Sequence, residues 1–160
     1  MRSVVALGAA MIVFRVYRGI ADHFPIRFTE WVMMLPTFGM AAAFKASPDM
    51  FAVSPSFDLL GRWAEEATWG LIVLACGVVR LAALTINGTF KGFRFSPHLR
   101  FGASLAGIVF WSQFTLGFLI AWLTGQGAPS AVVAYGTFCA MELANLVRSG
   151  SDIGKDIRGG

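Results

Sequence analysis

Residues 69–86 read WGLIVLACGVVRLAALTI, an apolar run with a single charge, Arg80, inside it. Its length approaches the ~20 helical residues that ~30 Å of hydrocarbon requires. A guanidinium at that depth costs about 3 kcal/mol on insertion scales, so it must face protein or water and find a partner. The last apolar segment supplies a carboxylate, Glu142. Arg80 stands eleven residues past Trp69 and Glu142 twelve past Ser130. At 1.5 Å per residue these are depths of ~16 and ~18 Å, so the two can meet if both segments run the same way. Asn145 falls one turn after Glu142, on the same face. Gln113, in the intervening antiparallel segment, falls nearer the middle, and Glu30 is a second candidate partner for Arg80. The expected buried polar seam is therefore Arg80, Glu142, Gln113, Asn145 and Glu30.

The rest of the chain has the same character. Hydrophobic residues make up 56% of it and charged residues 14%, where a soluble domain carries about 25% charged. The apolar runs lack period-two alternation, which argues against a membrane β-barrel. The expected fold is all-α, an integral membrane four-helix bundle forming one domain over residues 1–150. Its spans are expected at about 28–44, 67–87, 101–123 and 130–147. Pro36 interrupts the first, and proline in a membrane helix produces a kink. The apolar run at 4–14 is too short to span and is followed by Arg15 and Arg18, which predicts an interfacial helix. Arg15, Val16, Tyr17 and Arg18 also stand where a secretory signal would need small residues. After Pro55, Leu59, Leu60, Trp63 and Ala67 recur at helical spacing, which predicts a short amphipathic helix on the surface before the second span. Residues 151–160, polar and glycine-rich, are expected to form a mobile tail.

Lysine and arginine alternate between the links, which places both termini in the cytoplasm. Arg15, Arg18, Lys91, Arg94, Arg100, Trp63 and Trp69 are the expected lipid-interface residues. The basic-aromatic loop around Phe90, Lys91, Phe93 and Arg94 is read as contacting headgroups, and no nucleic acid is expected. Small residues at four-residue spacing mark helix-packing faces: Gly39 with Ala43, Gly107, Gly117, and Gly136 with Ala140 and Ala144. Cys76 and Cys139 read as packing residues, and neither His23 nor His98 has a ligand at metal spacing. No catalytic motif, metal site or cofactor fingerprint occurs, so the chain is not expected to be an enzyme.

The runs SPSFDLLGRWAEEATWG, GVVRLAALTING and SPHLR, the last followed by Phe110-Trp111, resemble a family of uncharacterised small four-span membrane proteins of tailed phages and proteobacteria. The likeness covers residues 54–111, with Trp69, Arg80, Asn87, Gly88, Pro97, His98 and Arg100 its most distinctive positions. It implies a four-span fold and phage-related work at the inner membrane. With the polar seam and the small-residue faces, three expectations stand, in order. The first is an oligomeric, holin-like pore. The second is a non-catalytic assembly or interaction subunit, including exclusion of other phages or help with genome entry. The third is a small-solute or proton transporter. The bilayer and a second copy, or another membrane protein, are the expected partners.

Overall fold

A computed structural model describes residues 2–89 and 95–159, and all regular structure among them is helical. The elements are α1 (Arg2–His23), α2 (Phe28–Val32), α3 (Met34–Ala46), α4 (Met50–Val53), a 3-10 turn (Pro55–Phe57), α5 (Asp58–Gly61), α6 (Glu66–Thr89), α7 (Ser96–Leu123) and α8 (Pro129–Gly159). Three stretches are long and apolar enough to cross a membrane: Glu66–Ile86, Ser96–Leu123 and Pro129–Lys155. They take in the third and fourth expected spans and all of the second but its last residue.

The first expected span takes a different form. Residues 28–44 lie in two helices, broken at Met33. Pro36 is the cause. It has no N–H to give Val32, and its ring crowds the carbonyl four residues back. The ladder resumes beyond it, with the Thr37 N–H bonded to the Met33 carbonyl at 3.3 Å and the Thr37 hydroxyl to the same oxygen at 2.7 Å. Neither α2 nor α3 alone has the length of a span.

Helix α7 is the axis of the bundle. It packs most extensively on α8, and on its other side it meets α6. Aromatic rings fill the α7–α8 seam: Trp111 stacks on Tyr135 at 5.8 Å, and Phe138 approaches Trp111 edge-on at 5.0 Å. The turn between the two helices is a Schellman cap. Gly125 takes φ +76°, Gln126 N–H bonds to Ala121 O at 2.8 Å and Gly125 N–H to Trp122 O at 3.0 Å. Helices α1 and α3 pack along α6. Gly70 and Gly77, two turns apart on α6, admit the α3 side chains of Phe44 and Phe38: an added Cβ would lie 3.4 and 3.0 Å from them.

Two further expectations are corrected. The helix expected after Pro55 is a single turn, α5, preceded by the 3-10 turn, and it does not lie wholly on the surface. One side is pressed into the bundle, with Ser56, Phe57 and Leu60 buried and Phe57 packed edge-on against Phe114 at 5.6 Å. Gly117 makes this possible, because a Cβ there would stand 2.2 Å from the Ser56 carbonyl oxygen. The indole N–H of half-buried Trp69 bonds back to Leu60 O at 3.0 Å, whereas Trp63 is exposed. Nor does the chain become a separate tail after residue 150, since α8 continues through Gly159. Asp152 on this extension has structural partners, described below.

Candidate functional site

Among the described residues the buried charge, Glu66 apart, is arranged as a ladder of two rungs across α2, α6, α7 and α8. Its spacing is helical. On α7, Arg100, Ser104 and Gly107 share a face, and on α8, Glu142, Asn145, Ser149 and Asp152 share the face opposite. All except Gly107 and Asp152 are buried.

The first rung is Arg80–Glu142. Two parallel bonds join them, Nη1 to Oε1 at 2.5 Å and Nη2 to Oε2 at 2.6 Å. Arg80 keeps 3% of its surface and Glu142 none, so the charge of each is balanced without water. Ser104 Oγ lies 3.4 Å from Arg80 Nη2, and Asn145 Nδ2 is 3.5 Å from Glu142 Oε2. Gly107 is the space in which the carboxylate sits. A Cβ there would fall 2.7 Å from the Glu142 carboxyl carbon and from Oε1.

The second rung is Arg100–Glu30. Arg100 donates from Nε to Glu30 Oε2 at 2.7 Å, from Nη2 to Oε1 at 2.5 Å, and from Nη1 to Asp152 Oδ2 at 3.0 Å. Arg27 Nη2 lies 3.8 Å from the same Asp152 oxygen. Burial and the neighbouring Arg100 lower the Arg27 pKa, while Glu30 and Asp152 raise it. Arginine remains a cation throughout. Thr29 ties the rungs together, donating to Asn145 Oδ1 at 2.6 Å. Arg148 reaches Thr29 Oγ1 at 3.4 Å and the Ile26 carbonyl at 2.8 Å. The ladder thus holds four guanidinium groups, Arg27, Arg80, Arg100 and Arg148, against three carboxylates, Glu30, Glu142 and Asp152.

The sequence-expected residues divide accordingly. Arg80, Glu142 and Asn145 meet. Glu30 is in the ladder, but its partner is Arg100. Gln113 is half-buried and makes no hydrogen bond among the described residues. It stands ~9 Å along α7 from Gly107 and on a different face. Arg100, expected at the lipid interface, is fully buried. Pro97 explains this, because it opens α7 and puts Arg100 inside the first turns of the helix rather than in the loop. Arg15 and Arg18 are exposed, with Arg18 over the Phe14 ring at 6.0 Å. Lys91 and Arg94 lie outside the described residues. Of the expected packing positions, Gly107 and Gly117 make close approaches and Gly136 faces Thr115 at 3.8 Å. Ala43 is half-buried. Gly39 has nothing within 4 Å, and Ala140 and Ala144 are exposed.

This site can hold helices together. Both carboxylate oxygens of Glu142, and both of Glu30, are occupied by a guanidinium. Among the described residues no three His, Cys, Asp or Glu side chains are grouped to bind a metal. Compared with family models, curated proteins and solved structures, the chain shows no significant match to any of them.

Proposed function

We propose that this chain is a non-catalytic interaction subunit of a bacterial inner membrane, which works by laying the outward face of α8 against another membrane helix, in the first instance that of a second copy. The observation that carries this is the uncovered state of α8. Of its apolar window 11% is buried within the chain, against 28% for α6 and 33% for α7. The face left open runs through Val133, Thr137, Ala140, Ala144 and Val147, and its centre is small. Without a hydrophobic drive between helices in lipid, small residues favour association by letting backbones approach.

In this reading α2 and α3 together make a fourth, broken crossing. Residues 28–46 span ~28 Å at helical rise, close to the hydrocarbon thickness. Helix α1 lies at the cytoplasmic interface and both termini are cytoplasmic, so the Arg100 rung is at the inner end. The resemblance to phage and proteobacterial proteins is compatible with that location. A permeabilising pore is the weaker reading. It requires a polar face for water, whereas between Val133 and Val147 the open face of α8 carries one hydroxyl, Thr137, already bonded to the Val133 carbonyl at 2.8 Å.

The test is disulfide trapping in native membranes. In a Cys76→Ser/Cys139→Ser background, Ala140→Cys and Ala144→Cys are expected to give covalent dimers on mild oxidation, and Leu74→Cys on α6 is not. Membrane potential is recorded in the same cells and is expected to hold. Equal trapping at all three positions would defeat the α8 contact, and depolarisation would defeat the non-conducting role.

A further inference from the structure

A cavity of about 230 Å³ lies between α6 and α7, and the first rung of the ladder closes its inner end. Its origin is local. Helix α7 turns Ala103, Ala106 and Gly107 toward Val73 and Cys76 of α6, so small side chains oppose small ones and leave space. Trp69 and Phe110, 5.9 Å apart between ring centroids, form an aromatic wall. Ile72 and Val109 also line it, with 43% and 54% of their surfaces exposed. Both belong to candidate membrane spans, so the cavity opens sideways toward hydrocarbon.

An apolar void of this kind is ordinarily dry and takes apolar guests; a ~150 Å³ one holds benzene. This one differs at its inner end. Arginine has five N–H donors. Those of Arg80 reach Glu142 twice and Ser104 once, and the other two have no acceptor among the described residues. A hydrogen-bond acceptor entering the cavity would find donors at its end. The acceptor must be neutral. Glu142 already balances the Arg80 charge, and a second carboxylate would be buried without compensation.

We infer that the α6–α7 cavity binds an uncharged, lipid-soluble aromatic carbonyl compound, with the ring against the wall formed by Trp69 and Phe110 and the carbonyl oxygen accepting from Arg80. Entry is lateral, from the bilayer. The Arg80–Glu142 pair remains intact when the site is filled.

Benzophenone is a member of this class and a photo-crosslinker, so it serves as the probe. Full-length protein in lipid nanodiscs is irradiated with it, and the adducts are mapped by mass spectrometry. Adducts are expected to concentrate on the α6 and α7 positions that line the cavity, such as Ile72, Val73 and Val109, over the exposed α8 positions Val133 and Val147. Unlabelled acetophenone is expected to compete at about one tenth the concentration needed of ethylbenzene, which has the same ring and no carbonyl, because a hydrogen bond to a charged donor is worth at least a factor of about ten. Ala106→Trp, which fills the space, is expected to abolish the selective adducts, and the competition ratio in wild type stands independently of whether that variant folds. Even labelling of all lipid-facing positions would overturn the site. Selective labelling with equal competition by the two compounds would overturn the role of Arg80. Neither result depends on what α8 contacts.

Discussion

Arg80 and Arg100 are the same residue in similar burial, each held by a bidentate glutamate, yet they are built differently. Arg80 has one carboxylate and reaches it past α7, at the position where Gly107 has no side chain. Arg100 has two carboxylates from two elements, Glu30 of α2 and Asp152 of α8. The first is a closed pair with no reserve; the second is a hub. A buried pair is weak evidence for stability by itself, but breaking one by removing a single partner is costly. The difference in reserve should therefore decide how much each rung loses.

The largest loss is expected for Glu142→Gln, about 3–5 kcal/mol, because Arg80 is left without a carboxylate. Denaturation in mixed micelles would measure it, and the double variant Arg80→Leu/Glu142→Leu should recover most of the loss. A double variant as unstable as the single would mean that the ion pair itself stabilises the bundle. Glu30→Gln is expected to cost less than Glu142→Gln, since Asp152 still faces Arg100. Equal midpoints for the two would erase the distinction between pair and hub. Gly107→Ala leaves every charge in place and is expected to cost about 1–3 kcal/mol by displacing the carboxylate. Gly39→Ala, with open space around it, should be near neutral in the same assay. The smallest effect is assigned to Asp152→Asn. Its side chain keeps 30% exposure, and about 1 kcal/mol or less is expected. A loss as large as that of Glu142→Gln would make Asp152 the main support of the second rung.

The same pair of arginines shows what was legible in the sequence. Arg80 sits in an uninterrupted apolar run, so its depth and its need of a partner can be computed from helical rise alone. Arg100 follows a loop rich in cations, and by composition it looks like one more of them. The signal that separates it is positional. Arg100, Ser104 and Gly107 keep one helical face, and Glu142, Asn145, Ser149 and Asp152 keep another, so the polar stripe of α8 runs on into residues that composition marks as a tail. Glycine and serine content there disfavours helix, yet α8 continues through it. The turn at Pro55–Phe57 was illegible for another reason. Its burial depends on Gly117, sixty residues later, and no local pattern reports so distant a fit.

The separation of partners along the chain also sets an order in time. Arg80 is synthesised 62 residues before Glu142, and Glu30 70 residues before Arg100. At bacterial or eukaryotic elongation rates of 5–20 residues per second, these are waits of about 3–14 s. From the synthesis of Arg80 until that of Arg100, Glu30 and Arg80 both exist and neither final partner does. Each is then the counter-charge available to the other, and the finished ladder requires them to part. A translation-arrest force profile should record a pull as Arg100 emerges and a second as Glu142 emerges. A profile without the earlier pull would mean that the two charges wait apart, at the water interface, until the last helix arrives.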